Sequence, residues 1–353
     1  MALPTEVSDS GCSGLRQGRE GDAALPGYWR HSGSAARPFC ASVGSSVGYQ
    51  VNTAPAEMAS TADLKALYDQ HLDARKMVAM YLSPTSEYHV DSFIQAIPHV
   101  HNFFSSGAVD GGTLLEMSFA PLVHCFLPAS NHFTDTYFAC PSEKAIKEVH
   151  MWVKNEPGCL DVTDVVKGVV DLLGSSVENL FGVTLGGTSV PLLGSLLGSV
   201  TQTVTSVTSV VLNEIQGLFR SQVKNVLLCN FMRSDPVAPT VLPPVDCLAL
   251  SYSLELFAVD EKSFCDALKN VTPLLKKGGH LVMFACLEGT FFKVGDVRFP
   301  AFCLKQDFLT ETLIEHGYTI KESHIFERKT RGSYDVFDFK SYIILKATKE
   351  RDI

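Results

Sequence analysis

Leu242-Pro243-Pro244-Val245-Asp246-Cys247-Leu248-Ala249-Leu250 and, one helical run later, Leu274-Leu275-Lys276-Lys277-Gly278-Gly279-His280-Leu281-Val282-Met283-Phe284 form the stretch on which the reading of the fold turns. An apolar strand, a crossover helix, a Lys-Lys-Gly-Gly turn and a second apolar strand make a βαβ unit, the building block of a buried parallel sheet. By itself this is scaffold and carries no chemistry.

Downstream, the sequence predicts a helix over residues 308–316 stopped by Gly317, then strands over 318–326 and 341–347, near enough in sequence to pair antiparallel. Upstream, Gly111-Gly112 precedes a short apolar strand over 113–117, the turn Ser118-Phe119-Ala120-Pro121 and a helix. A strand over 134–139 and a helix over 143–154 follow, the latter with Ile146, Val149 and Val153 on one side. Strand alternating with helix predicts an α/β, doubly wound sheet whose ligands lie beyond the carboxyl ends of the strands. The loops after Met117 and Ala139 are therefore the first places to look for a site.

Nearer the start, Ser60 or Thr61 caps a helix carrying Leu64, Leu67, Tyr68 and Leu72, and a second helix is expected through Val90, Phe93, Ile97 and Val100. Residues 1–57, rich in Gly, Ser, Ala and Pro, bury too little apolar surface to offset their ordering entropy and are expected to be a disordered or non-native extension before a domain over 58–349. That domain is interrupted over 175–212. No charged residue occurs between Glu178 and Glu214, and Leu193, Leu197, Val200, Val204, Val207 and Val211 recur at helical steps opposite Ser and Thr. The pattern suits an insertion able to make weak membrane-surface contact, as lipid-packing sensors do, while its Val/Thr richness also suits a strand and a plain surface loop remains the simpler reading.

Composition bounds the partners. A formal charge of −9 and no basic block argue against nucleic acid, leaving a small molecule as the expected partner of a monomer. The ten cysteines are scattered with no Cys-x-x-Cys pair, which favours buried free thiols in a reducing, cytoplasmic setting over disulfides or zinc. His71 and His280 lack ligand-spaced partners and are read as structural.

A family resemblance enters through particular residues. Pro243-Pro244-Val245-Asp246-Cys247, Leu274-Leu275-Lys276-Lys277-Gly278-Gly279 and Phe292-Lys293-Val294-Gly295 resemble the small-amine methyltransferases, a family of nicotinamide, indolethylamine and phenylethanolamine N-methyltransferases and thioether S-methyltransferases. Tyr68-Asp69-Gln70-His71-Leu72-Asp73-Ala74-Arg75 is similar to its N-terminal helix, and Trp152-Val153-Lys154-Asn155-Glu156-Pro157 to its Trp-Leu-Lys-Lys-Glu-Pro run. The resemblance implies a class I (Rossmann-like) methyltransferase sheet, mostly parallel with an antiparallel C-terminal strand and helices on both faces. It also implies S-adenosylmethionine across the carboxyl ends of the first strands, donating a methyl group to a small amine or thioether.

Position by position, the resemblance implies cofactor contacts at Tyr81, Glu116, Ser118, Ala120, Cys140 and Asn230, and substrate-facing carboxylates at Glu255 and Glu288. The family's first loop, Asp-Ile-Gly-Ser-Gly-Pro, reads here Glu116-Met117-Ser118-Phe119-Ala120-Pro121, so both glycines that let backbone approach the cofactor are gone. The acidic residue expected to accept from the ribose hydroxyls is Cys140, a poor acceptor, and the Asp expected beside the adenine amine is Asn230. Ser253-Leu254-Glu255 matches the Cys-Leu-Glu of the phenylethanolamine branch, while Cys286-Leu287-Glu288-Gly289 keeps one carboxylate of its Ala-Leu-Glu-Glu. Phe291 and Phe292 either line a pocket or fill core. Two readings stand: an active methyltransferase, resting on the fold and on Glu255 and Glu288, or a ligand-binding, non-catalytic descendant, resting on Ser118, Phe119, Ala120 and Cys140. Four changes in the loops that hold the cofactor favour the second.

Overall fold

The computed structural model describes residues 60–83, 86, 88, 96–106, 112–120, 129, 132–173, 209–329 and 335–352, all within one compact unit spanning 53–353. The expectations for residues 1–57, and for 175–212 up to its last few positions, lie outside the described residues. Helix α1 (Thr61–His71) starts at an N-cap where Ser60 Oγ accepts from the Asp63 amide, and α2 (Ala74–Tyr81) starts where the Asp73 carboxylate accepts from Arg75 and Lys76. Helix α2 was not anticipated, because eight residues give too short a window for periodicity to register. The helix expected from Val90 onward is described only as α3 (Ile97–Ser105).

Strands β1 (Thr113–Ser118) and β2 (Asp135–Cys140) are followed by α4 (Glu143–Val153), α5 (Thr163–Leu173) and α6 (Ser209–Gln222). Next come β3 (Val223–Leu228), β4 (Val245–Ser251), a short helix α7 (Leu254–Phe257), α8 (Glu261–Val271) and β5 (Leu275–Leu287). A two-stranded hairpin, β6 (Phe291–Val294) and β7 (Val297–Pro300), precedes α9 (Gln306–Glu315), β8 (Tyr318–Glu327) and β9 (Ser341–Lys349). Seven strands form one sheet in the order β3-β2-β1-β4-β5-β9-β8, with β9 antiparallel to both its neighbours and every other pairing parallel. The winding reverses between β1 and β4, so right-handed crossovers carry the helices to opposite faces and leave a crevice at the carboxyl ends of those two strands.

The opening stretch folds as read, with one difference. Lys276 to Gly279 does not form a separate turn but an irregular start to β5, where Gly278 takes φ +80° and the pairing with β4 slips between Val245 and Cys247. An added Cβ at Gly279 would lie 2.9 Å from the Asp246 carbonyl, so only glycine allows the two strands this approach. Asp246 ties the amino ends of three strands. Its Oδ2 accepts from the Gly112 and Thr113 amides (2.9 and 3.0 Å) and Thr113 Oγ1 (2.9 Å), and Lys276 bonds the other oxygen. Burial works to raise this carboxyl, but the hydrogen bonds from Lys276, Thr113 and Gly112 outweigh it and hold it at about 2.

Helix α8 opens with a reciprocal capping box: the Asp260 carboxylate accepts from the Ser263 amide at 2.7 Å, and Ser263 Oγ accepts from the Asp260 amide at 3.0 Å. Such caps stabilise a helix by about 1 kcal/mol. The fold is therefore pinned firmly at the edge of the sheet away from the crevice and along the helix beside β4 and β5.

Candidate ligand site at the switch point

Two turns and a helix bring side chains to the crevice. The chain leaves β4 at Tyr252, which adopts φ +48°, and enters α7, whose first turn carries Glu255. It leaves β5 at Glu288, φ +53°, and enters the β6–β7 hairpin, which roofs the crevice and was not anticipated from the sequence. The Phe292-Lys293-Val294-Gly295 run held the available signal, since Gly295 adopts φ +60° at the hairpin turn. Tyr68 of α1 closes the top: its ring stands 5.1 Å from Phe299 and 4.6 Å from Phe257, and its hydroxyl donates to the Leu256 carbonyl at 2.9 Å.

Beneath this roof lies a pocket lined, among others, by Tyr81, Phe119, Glu255, Cys286, Phe291 and Phe292. The wall is overwhelmingly apolar and aromatic, and Phe291 and Phe292 line it while being buried themselves, Phe292 as part of the main core. Glu255 supplies its carboxylate from a fully buried position. Its Oε1 accepts from the Cys286 amide at 3.1 Å, while Oε2, also buried, has no hydrogen-bond partner. Burial raises this carboxyl to about 7 against the opposing pull of amide groups, that of Cys286 foremost. A buried carboxyl with an unsatisfied oxygen in an apolar chamber is a receptor for a cation or hydrogen-bond donor that brings its own apolar surface.

Glu288 does not join it. It is exposed and ion-paired with Lys340 at 2.6 Å, and the pocket is reached instead by Gly289. A Cβ at Gly289 would stand 2.7 Å from Phe339 Cβ and 2.9 Å from its Cα, so no side chain fits there. The structure therefore brings one carboxylate to the pocket, not a pair. Tyr81 lines the same pocket, with its hydroxyl donating to the Lys293 carbonyl at 2.6 Å.

The carboxyl ends of β1 and β2 are built differently. Ser118 Oγ donates to the Ala120 carbonyl at 2.7 Å, closing the turn on itself. The Phe119 ring points into the pocket wall, 5.4 Å from Phe292 and 6.5 Å from Tyr68. Glu116 is completely buried with neither carboxylate oxygen paired. Burial, opposed by Ser118, holds it well above the usual carboxylate range. Cys140 is also completely buried, and burial followed by nearby Glu116 pushes its thiol up to about 12. Beyond it, a second cavity is lined by Lys65, Asp69, Pro141, Asn230, Phe231 and others. The Asn230 side-chain oxygen there already accepts from the Met232 amide at 3.0 Å. Among the described residues no three His, Cys, Asp or Glu side chains are grouped as a metal site, the described cysteines are free thiols, and no helix is long and apolar enough to cross a membrane.

The model of the NNMT/PNMT/TEMT family matches residues 62–180 and 199–350. The chain is 26% identical to nicotinamide N-methyltransferase of Homo sapiens over 73% of this chain and 86% of that protein. It is 26% identical to indolethylamine N-methyltransferase of Oryctolagus cuniculus over 72% and 85%, and 24% identical to phenylethanolamine N-methyltransferase of Mus musculus over 70% and 73%, respectively.

Proposed function

The chain belongs to the NNMT/PNMT/TEMT family, and from that membership we propose that it is a divergent member that binds a small apolar amine at Glu255 and has a weakened or lost hold on S-adenosylmethionine. The family and the class I sheet indicate S-adenosylmethionine-dependent methyl transfer as the ancestral chemistry. The observation that carries the amine reading is the unpartnered, fully buried Oε2 of Glu255 in the wall of an aromatic pocket. An ammonium group placed there gains a charge-assisted hydrogen bond in a dry site and the faces of nearby rings. Because the cation needs the ionised carboxylate, affinity is expected to fall as pH drops through about 7.

The residues at the cofactor loops do not fit the group the family carries. Backbone that glycine would leave open is covered at Phe119, and the ribose-facing carboxylate is replaced by a thiol with no exposed surface at Cys140. Neither residue supplies an acceptor for hydroxyl donors. Within this reading the chain's own residues bind and orient an amine, with Cys286 and Leu256 backbone groups fixing Glu255 and Tyr68 in place.

One observation favours the alternative, an active enzyme moving a methyl group from S-adenosylmethionine to a small amine or thioether. The second cavity, beside Pro141, Asn230 and Phe231, stays open where the family resemblance puts adenine. Isothermal titration separates the two readings. Phenylethylamine is expected to bind and S-adenosylmethionine to give no saturable heat. Micromolar binding of S-adenosylmethionine overturns the first reading in favour of the second.

A further inference from the structure

The supply of hydrogen-bond acceptors in the pocket specifies more than a positive charge. Among the described residues that line it, Glu255 carries the one carboxylate. Its Oε1 is already taken by the Cys286 amide at 3.1 Å, which leaves the buried, unpartnered Oε2 as the charged acceptor on offer. A second carboxylate is sterically excluded at Gly289, where an added Cβ would meet Phe339 at 2.7 Å, and Glu288 is held outside by Lys340. The remaining side-chain heteroatoms of the wall are phenols and a thiol, neutral and weaker acceptors for a cation, and the Tyr81 hydroxyl is engaged with the Lys293 carbonyl. Rings of Phe119, Phe291, Phe292, Phe302 and Phe339 make up much of the rest.

Donor count at the nitrogen therefore matters as much as charge. A primary ammonium brings three N–H groups that water had satisfied, and one strong acceptor cannot replace that hydration for all of them. A quaternary ammonium brings none and leaves Oε2 buried and unpaired. A tertiary ammonium brings one N–H, and its N-methyl groups carry part of the charge on C–H surface that packs against ring faces. We propose that the preferred occupant of this pocket is a tertiary aralkylammonium ion, its single N–H on Glu255 Oε2 and its N-methyl groups against the aromatic wall. The inference rests on the amine reading and adds to it the degree of substitution at nitrogen.

Isothermal titration of the full chain with phenylethylamine and its N-methyl, N,N-dimethyl and N,N,N-trimethyl derivatives tests this at about pH 8, above the value of about 7 to which burial raises Glu255. Affinity is expected to climb from the primary to the dimethyl amine by on the order of tenfold. It should then fall for the trimethyl ion by a similar factor, because the N–H bond to Oε2 is gone. In Glu255→Gln the dimethyl and trimethyl ligands should differ by no more than about twofold, and the series on the parent chain decides the matter even where that variant folds poorly. Primary amine binding as tightly as dimethyl, or trimethyl binding as tightly as dimethyl, overturns the inference and leaves the amine reading standing. A preference for dimethyl over trimethyl that survives intact in a folded Glu255→Gln chain overturns the assignment to Oε2. Absence of saturable heat with all four ligands sinks the amine reading and this inference with it.

Discussion

Glu116 and Glu255 are both fully buried carboxylates near the carboxyl edge of one sheet, and they have met opposite fates. Glu255 lines a cavity, keeps one oxygen bonded to an amide and the other unpaired, and is pushed by burial up to about 7. Glu116 opens on no described cavity, has neither oxygen paired, and is pushed well above the usual range by burial. An unpaired carboxyl facing a cavity is a receptor in waiting, whereas an unpaired carboxyl sealed in protein only costs stability. The pocket beneath the hairpin holds the first arrangement. Where β1 and β2 end, Phe119 and Cys140 are buried in the interior, while a second cavity is open beside Pro141 and Asn230.

Reopening the packed side should give the largest effect. Phe119→Gly together with Cys140→Asp restores backbone approach and a ribose acceptor, and is expected to strengthen S-adenosylmethionine binding by about 3 kcal/mol, roughly a hundredfold. Titration of the double variant beside the parent measures it, and equal heats would break the contrast between the two sides. Next, Glu255→Gln should weaken phenylethylamine binding by about 2 kcal/mol at pH 8 and by less at pH 6, where the parent carboxylate is already largely protonated.

Glu116→Met should do the opposite of harm. Replacing a sealed, unpaired carboxyl with an apolar chain of similar size is expected to stabilise the fold by about 1–2 kcal/mol in urea melts at neutral pH. The sign follows from linkage. With its folded pKa raised, Glu116 leaves stability intact below the unfolded value of about 4.5 and costs it as pH rises, so the advantage of Met should shrink toward acid. The smallest effect is expected at the carboxylate that lies outside the pocket. Glu288→Ala loses only a solvent-screened, exposed ion pair with Lys340 and should leave both stability and amine binding essentially untouched. A tenfold loss of amine affinity in that variant would put Glu288 back in the site.

Much of the architecture was legible because it rests on signals that survive in one dimension. The apolar runs around Cys247 and Val282, the crossover between them and Gly317 after α9 each state their conformation locally, and β9 pairs antiparallel as the short span after β8 implied. Strand β3 was missed, because Val223-Lys224-Asn225 is half polar and its pairing with β2 is decided at long range. Ser253-Leu254-Glu255 singles out Glu255 in the sequence, and that residue lines the pocket. Which of Glu288 and Gly289 faces the crevice stays open in the sequence, because one residue of register at the end of β5 decides it, and the positive φ at Glu288 that sets this register has no sequence signature.

Gly289 locks that register sterically. With Phe339 backbone and side chain 2.7 to 2.9 Å from where its Cβ would be, the position accepts no larger residue until the segment before β9 shifts. A second carboxylate at this position is thus closed to any single substitution: the charge in the pocket can be tuned at Glu255, and adding another here requires the segment before β9 to be rebuilt.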